Sequence, residues 1–164
     1  MSEALLDTQS VLRDKADHPA IVALSALGEG AMTAAKWDRG ELTLTIPREH
    51  IIAACRAVQQ AGYNFLEDVA GVDWLPRNPR FQVSYHILSH SLKERIRLSV
   101  TLTEEDAAVD SITTVWPSAN YYEREIFDLF GIRFDGHPNL RRILMPDDWN
   151  GFPLRKDYPV EGYR

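Results

Sequence analysis

Two stretches of strict alternation, Val83, Tyr85 and Ile87 in one and Ile96, Leu98 and Val100 in the other, limit what this chain can fold into more than anything else in it. Successive side chains of an extended strand point to opposite faces, so an apolar residue at every second position makes a strand with one buried face. Neither run suits an amphipathic helix, whose apolar residues recur every third or fourth place. Tyr63 to Val72 is a further strand candidate, and so is Glu41 to Ile46, where Leu42, Leu44 and Ile46 share a face. The connection from Trp74 to Arg80 carries Pro76 and Pro79, which remove donors that a central strand needs, and it reads as a loop. Strands joined this closely pair mainly antiparallel.

Helices are marked by their ends. Pro47 opens one that runs to about Gly62, and His18-Pro19 precedes a shorter one, Ala20 to Leu27, closed by Gly28 and Gly30. Another spans Tyr121 to Phe130, with Ser118 or Asn120 as its cap and Gly131 as its stop. Glu104 to Trp116 fits no period. The expected fold class is α+β: a mainly antiparallel sheet with helices packed on it, formed by residues 1–134. At 164 residues one core is enough. From residue 135 onward, prolines at 138, 146, 153 and 159 and glycines at 136, 151 and 162 prevent regular structure, so 135–164 reads as an extended proline-rich C-terminal arm.

Charge and cysteine content narrow the function. Eighteen basic against 24 acidic residues leave a formal charge of -6, the wrong sign for displacing counterions from nucleic-acid phosphates. No apolar run approaches the ~20 residues of a membrane span, and no signal pattern opens the chain, so the expectation is a cytoplasmic protein held at any membrane by partners. A lone Cys55 cannot supply a disulfide, a paired-cysteine zinc site or an iron-sulfur cluster, each of which needs several thiolates from one chain. Its place among Ile51, Ile52, Ala54 and Val58 is that of a core residue. No Gly-x-Ser-x-Gly elbow is present, and Gly28-Glu29-Gly30 follows a helix and lacks the third glycine of a dinucleotide loop.

On the Tyr121–Phe130 helix, Tyr122, Ile126, Leu129 and Phe130 form an apolar arc, while Tyr121, Arg124, Glu125 and Asp128 lie opposite. Arg124 and Asp128, four apart, can pair along that outer stripe. Glu123 falls inside the apolar sector, where a carboxylate needs a cation or a proton, and Arg141 or Arg142 could return to it after Gly136-His137-Pro138. A carboxylate-histidine metal site of a stand-alone enzyme, built on Glu123, Glu125, Asp128 and His137, is disfavoured, because Glu123 and Glu125 point roughly 200° apart on a helix. His18, His50, His86 and His90 have no partner pattern. The arm's charges cancel, and its Trp149, Phe152, Leu154 and Tyr158 need a surface to cover them. Either a partner or the chain's own domain could provide it.

Glu123-Arg124-Glu125-Ile126-Phe127-Asp128-Leu129-Phe130-Gly131-Ile132 with Gly136-His137-Pro138-Asn139-Leu140-Arg141-Arg142-Ile143-Leu144 resembles the signature of the C-subunit family of respiratory complex I, the counterparts of the mitochondrial 30 kDa subunit. Pro117-Ser118-Ala119-Asn120-Tyr121-Tyr122 is similar to the family's lead-in, and Gly151-Phe152-Pro153-Leu154-Arg155-Lys156-Asp157-Tyr158-Pro159 to its closing motif. Phe152 departs from it, since many relatives carry histidine there. The resemblance implies a non-catalytic scaffold in the hydrophilic arm of a proton-translocating NADH:quinone oxidoreductase, on the cytoplasmic side of the membrane. Its implied partners are complex I subunits D, B and I, the first in direct packing contact and the other two nearby. It implies no redox cofactor on this chain, with FMN and iron-sulfur clusters on partner subunits, and a free-standing subunit rather than one fused to D. Related subunits of membrane-bound hydrogenases and ferredoxin-plastoquinone oxidoreductases share the pattern. The docking residues it suggests are Arg141, Arg142, Arg155 and Lys156 for partner carboxylates, with Trp149, Phe152 and Tyr158 as apolar anchors.

Overall fold

A computed structural model describes residues 3–162. Helices α1 (Glu3–Asp14) and α2 (Pro19–Ser25) lead into the hairpin β1 (Ala34–Asp38) and β2 (Glu41–Thr45), then a 3-10 turn (Arg48–His50) and α3 (Ile51–Gln60). Strands β3 (Phe65–Asp73), β4 (Phe81–Ser89) and β5 (Glu94–Leu102) follow, then β6 (Ala108–Asp110), α4 (Ala119–Phe130) and β7 (Arg133–Asp135). The alternating segments are strands and the three proline- or glycine-bounded segments are helices, as their patterns require. The sequence pattern marks neither α1 nor β1, nor the three-residue β7. Among the side chains described, α1 buries Val11 and Thr8, and β1 buries only Ala35, so neither displays a long apolar period. The β1–β2 turn needs two left-handed residues, Arg39 at φ 53° and Gly40 at φ 84°, and the twist they impose suits a tight hairpin.

Five strands form one sheet in the order β1-β2-β5-β4-β3. β1–β2, β5–β4 and β4–β3 are antiparallel, whereas β2 runs parallel to β5, Leu44 lying beside Leu98. Only Ala108–Asp110 of the ambiguous segment becomes a strand, pairing in parallel with β7. One face of the sheet, carrying Leu42, Leu44, Val83, Tyr85, Ile96 and Leu98, joins Ile21 and Leu24 of α2, Cys55 and Val58 of α3 and Ile126 and Phe130 of α4 in a single core. Cys55 is buried there, as expected, and burial pushes its thiol up, far from a reactive thiolate. The other face presents a polar row across four strands, Thr43, Arg97, His86 and Asp68, in register.

Gly71 of β3 turns toward α4. A Cβ there would lie 3.0 Å from Phe130 and 3.1 Å from Ile126, so only glycine lets the helix sit this close to the strand. That approach fixes α4 against the sheet and carries Gly131, the start of β7 and the arm with it.

Candidate functional site

Glu123 is fully buried on α4, but among the described residues no arginine reaches it. Its carboxyl accepts the Ser111 hydroxyl at 2.6 Å and the Ile112 N–H at 2.8 Å, both from the segment after β6. His137 Nε2 lies 4.0 Å away. His137 Nδ1 accepts the Asn139 N–H, so its proton sits on Nε2 and is donated to the Asn120 carbonyl, which leaves the ring neutral. Burial without a cation pushes the Glu123 carboxyl up to about 7, and its two hydrogen bonds only partly oppose this. Two hydrogen-bond donors and a raised affinity for a proton, rather than pairing with Arg141 or Arg142, answer the misplaced charge.

Asp128 corrects a second expectation. It does not pair with Arg124 on an exposed stripe, because the arm folds over that side of α4 and buries Asp128 completely. Its Oδ2 accepts the N–H groups of Ile143, Leu144 and Met145 at 3.0, 2.7 and 2.9 Å, and its Oδ1 takes Arg142 Nη1 at 2.8 Å. Burial alone would raise this carboxyl, but the three amides and the guanidinium outweigh it and hold it below the usual range. Arg124 instead donates to the Arg141 and Arg142 carbonyls at 3.1 and 3.0 Å. Helix α4 thus grips residues 141–145 from both sides. Its ends follow the sequence only in part: Ser118 is the N-cap but makes no side-chain bond there, and Gly131 closes the helix at φ 72°.

Gly131 has a further reason to be glycine. An added Cβ would fall 2.6 Å from the Phe152 ring and 2.8 Å from Arg155 Nη2. Phe152 lies beneath two guanidinium groups, Arg155 at 4.7 Å and Arg142 at 5.5 Å from its centroid, and Arg155 Nε donates to the Phe130 carbonyl at 2.6 Å. Downstream, buried Arg80 holds the end of the arm. It bonds Asp73 at 2.8 and 3.1 Å, Asp157 at 2.6 Å and Glu104 at 2.6 Å, while the Lys156 N–H donates to Asp73 at 2.8 Å. Burial pulls Asp73 up, yet Arg80 and the Lys156 and Leu75 amides outweigh it and keep it at about 2. Asp73, Arg80, Asp157 and Ser111 were not singled out in the sequence. Nothing in the residues of a proline-rich loop reveals that one arginine will meet three carboxylates from distant segments.

The arm therefore wraps its own domain along its inner side. Of the seven docking candidates, Arg142, Phe152 and Arg155 are engaged within the chain, and Tyr158 donates its hydroxyl to the Asn150 carbonyl at 3.3 Å. Arg141 and Lys156 are exposed, and among the described residues no carboxylate lies within ion-pair distance of their side chains. Trp149 is exposed, as are Ile143, Leu144, Leu154 and Val160, which the sequence reading had not proposed as anchors apart from Leu154 as a group needing cover. Among the described residues, no group of three or more histidine, cysteine, aspartate or glutamate side chains is arranged to hold a metal ion, and no helix is long and apolar enough to cross a membrane.

Residues 44–164 match the family model described as respiratory-chain NADH dehydrogenase, 30 Kd subunit. The C subunit of NADH-quinone oxidoreductase from Citrifermentans bemidjiense is 48% identical over 147 residues, covering 89% of this chain and 91% of that protein. A solved trypsin-resistant fragment (1-134) of Nqo5 is 39% identical, with a TM-score of 0.58, covering 62% of this chain and 83% of the fragment. A chain of the membrane-bound sulfane sulfur reductase, an archaeal respiratory membrane complex, shares the fold at a TM-score of 0.75 and 21% identity, covering 89% of this chain and 86% of that one.

Proposed function

Because this chain belongs to the family of the 30 kDa subunit of respiratory-chain NADH dehydrogenase, a component of NADH-quinone oxidoreductase, we propose that it serves that enzyme as a scaffold without an active site of its own. The observation that carries this reading is the two-sided arm. Its inner side is tied down by Asp128, Arg142, Arg155 and Arg80, while Ile143, Leu144, Trp149 and Val160 face outward. An arm already ordered by its own domain loses little conformational freedom on docking, so its apolar side chains contribute most of their burial as affinity. Arg141 and Lys156, lacking acidic partners among the described residues, suit carboxylates on a neighbour.

In this reading the neighbours are subunits D, B and I, the site is the cytoplasmic side of the membrane, and FMN and iron-sulfur clusters on other subunits carry electrons from NADH to quinone. The single cysteine, buried in α3, supports a chain that leaves cluster binding to others. Electron transfer between fixed centres depends on their separation, and a clamp between subunits holds that geometry. The test is to purify the tagged chain from its native membrane. Flavin- and cluster-bearing subunits should accompany it in fixed ratio and be lost when Leu144 and Trp149 are both changed to serine. Isolation of the chain alone, or retention of the partners by that variant, overturns the proposal.

A further inference from the structure

We propose that the groove between α4 and the outer edge of β3 receives an extended segment of a neighbouring subunit, one in which a large apolar side chain stands next to a lysine or arginine. This rests on the reading of the chain as a subunit of a larger assembly, but it concerns a surface separate from the outer face of residues 141–149.

β3 lies at the end of the sheet order and, among the described strands, pairs only with β4. The Trp74 N–H donates to the Arg80 carbonyl, just beyond the last ladder pair. Alternation along an antiparallel ladder then turns the amides and carbonyls of Asp73, Gly71 and Val69 away from β4. An open edge of this kind is a template for an added strand unless something blunts it. The Tyr122 hydroxyl covers one position by donating to the Glu67 carbonyl at 3.0 Å. Beyond it the edge opens into a groove of about 250 Å³, with Val69 and Gly71 on one wall, Ile126 and Leu129 on the other and Leu154 at its end.

Charge selects the occupant. The two charged residues lining the groove are Asp68 and Glu125, and among the described residues no lysine, arginine or histidine lines it. Glu125 is exposed and makes no ion pair with any described residue. Among the described residues Asp68 has only His86 Nδ1 within ion-pair distance, at 3.7 Å, and His86 is held neutral because its Nε2 accepts Arg97 Nε at 2.9 Å. The two carboxylates thus border the open edge of β3 with no described lysine or arginine against them, Glu125 from α4 and Asp68 from the opposite face of the sheet. Backbone groups free to pair, apolar walls and an acidic rim are what an extended apolar-basic segment uses when it adds to a sheet edge. A second copy of this chain, at a formal charge of -6, is the wrong partner for that rim.

A photo-crosslinking residue placed at Leu154 in the tagged full-length chain, expressed in its native membrane, tests this. The expected product is a crosslink to another subunit of the co-purifying assembly, mapped to a peptide with lysine or arginine within two positions of a large apolar residue. The double variant Asp68→Asn, Glu125→Gln should lower the yield at least about fivefold, since rim charges act mainly on association. Both side chains are solvent-accessible, so an unchanged unfolding curve serves as the control for that variant. A crosslink within the chain, to a second copy or to a segment without a basic residue, no crosslink, or a yield indifferent to the double variant overturns the inference while co-purification still upholds the subunit reading. Failure of co-purification overturns both.

Discussion

Replacing Glu123 with glutamine should make the protein more stable at alkaline pH, although it removes a carboxylate that is hydrogen-bonded in the core. The carboxyl has its folded value raised from an ordinary 4.5 to about 7, so the folded chain binds this proton more tightly than the unfolded chain does. The stability this contributes is fully present below about 4.5 and is lost as pH climbs through about 7. At roughly 1.4 kcal/mol per pH unit, the loss across that window is about 3 kcal/mol. Glutamine cannot ionise. Its oxygen still accepts the Ile112 N–H, and its amide can donate to Ser111 Oγ, whose own proton passes to Thr113 Oγ1. His18, His86 and His137 have folded values lowered by burial first, and they work in the opposite direction, adding stability that is present above about 6.5 and lost as pH falls. The wild-type curve mixes both signs, whereas the difference between wild type and Glu123→Gln isolates the glutamate. Urea unfolding followed by tryptophan fluorescence at pH 5 and pH 8.5 should show near-equal stability at the lower pH and a lead of up to about 3 kcal/mol for the variant at the higher, or about 6–12 °C in Tm. A variant weaker than wild type at pH 8.5, or a difference independent of pH, would refute the raised proton affinity assigned to Glu123.

Arg80→Met leaves Asp73 buried without its cation and should cost about 3–5 kcal/mol, read by denaturant unfolding, with faster tryptic cleavage after Arg155 and Lys156 as the end of the arm comes free. Asp128→Ala removes the acceptor for three amides and Arg142, and a loss of about 3–5 kcal/mol is expected, with accelerated hydrogen exchange at Ile143, Leu144 and Met145 that a surface substitution would not produce. Gly71→Ala forces a methyl against Phe130 and Ile126, so a loss of about 1–3 kcal/mol should appear in the same unfolding assay.

Most of the central elements were legible before any coordinates, α1, β1, β6 and β7 being the exceptions. Period-two runs at Val83–Ile87 and Ile96–Val100 can bury a face only as strands, and Pro47, Gly62 and Gly131 set helix limits by backbone sterics, which act locally. The core role of Cys55 and the irregular backbone after residue 135 followed in the same way. So did the misfit of Glu123 with its apolar face, because a helical wheel needs nothing beyond the neighbouring turn. Tertiary structure alone decided who answers each charge. Arg124 and Asp128 stand one turn apart, yet three backbone amides and Arg142 take Asp128, since a strand of chain folded over the helix offers more donors, in a drier place, than one exposed side chain can. Arg80 and Asp157, 77 residues apart, meet only because the arm crosses the end of β3 and β4. Local pattern reports which groups are short of a partner, and the identity of the partner depends on which distant segments packing brings within about 3 Å.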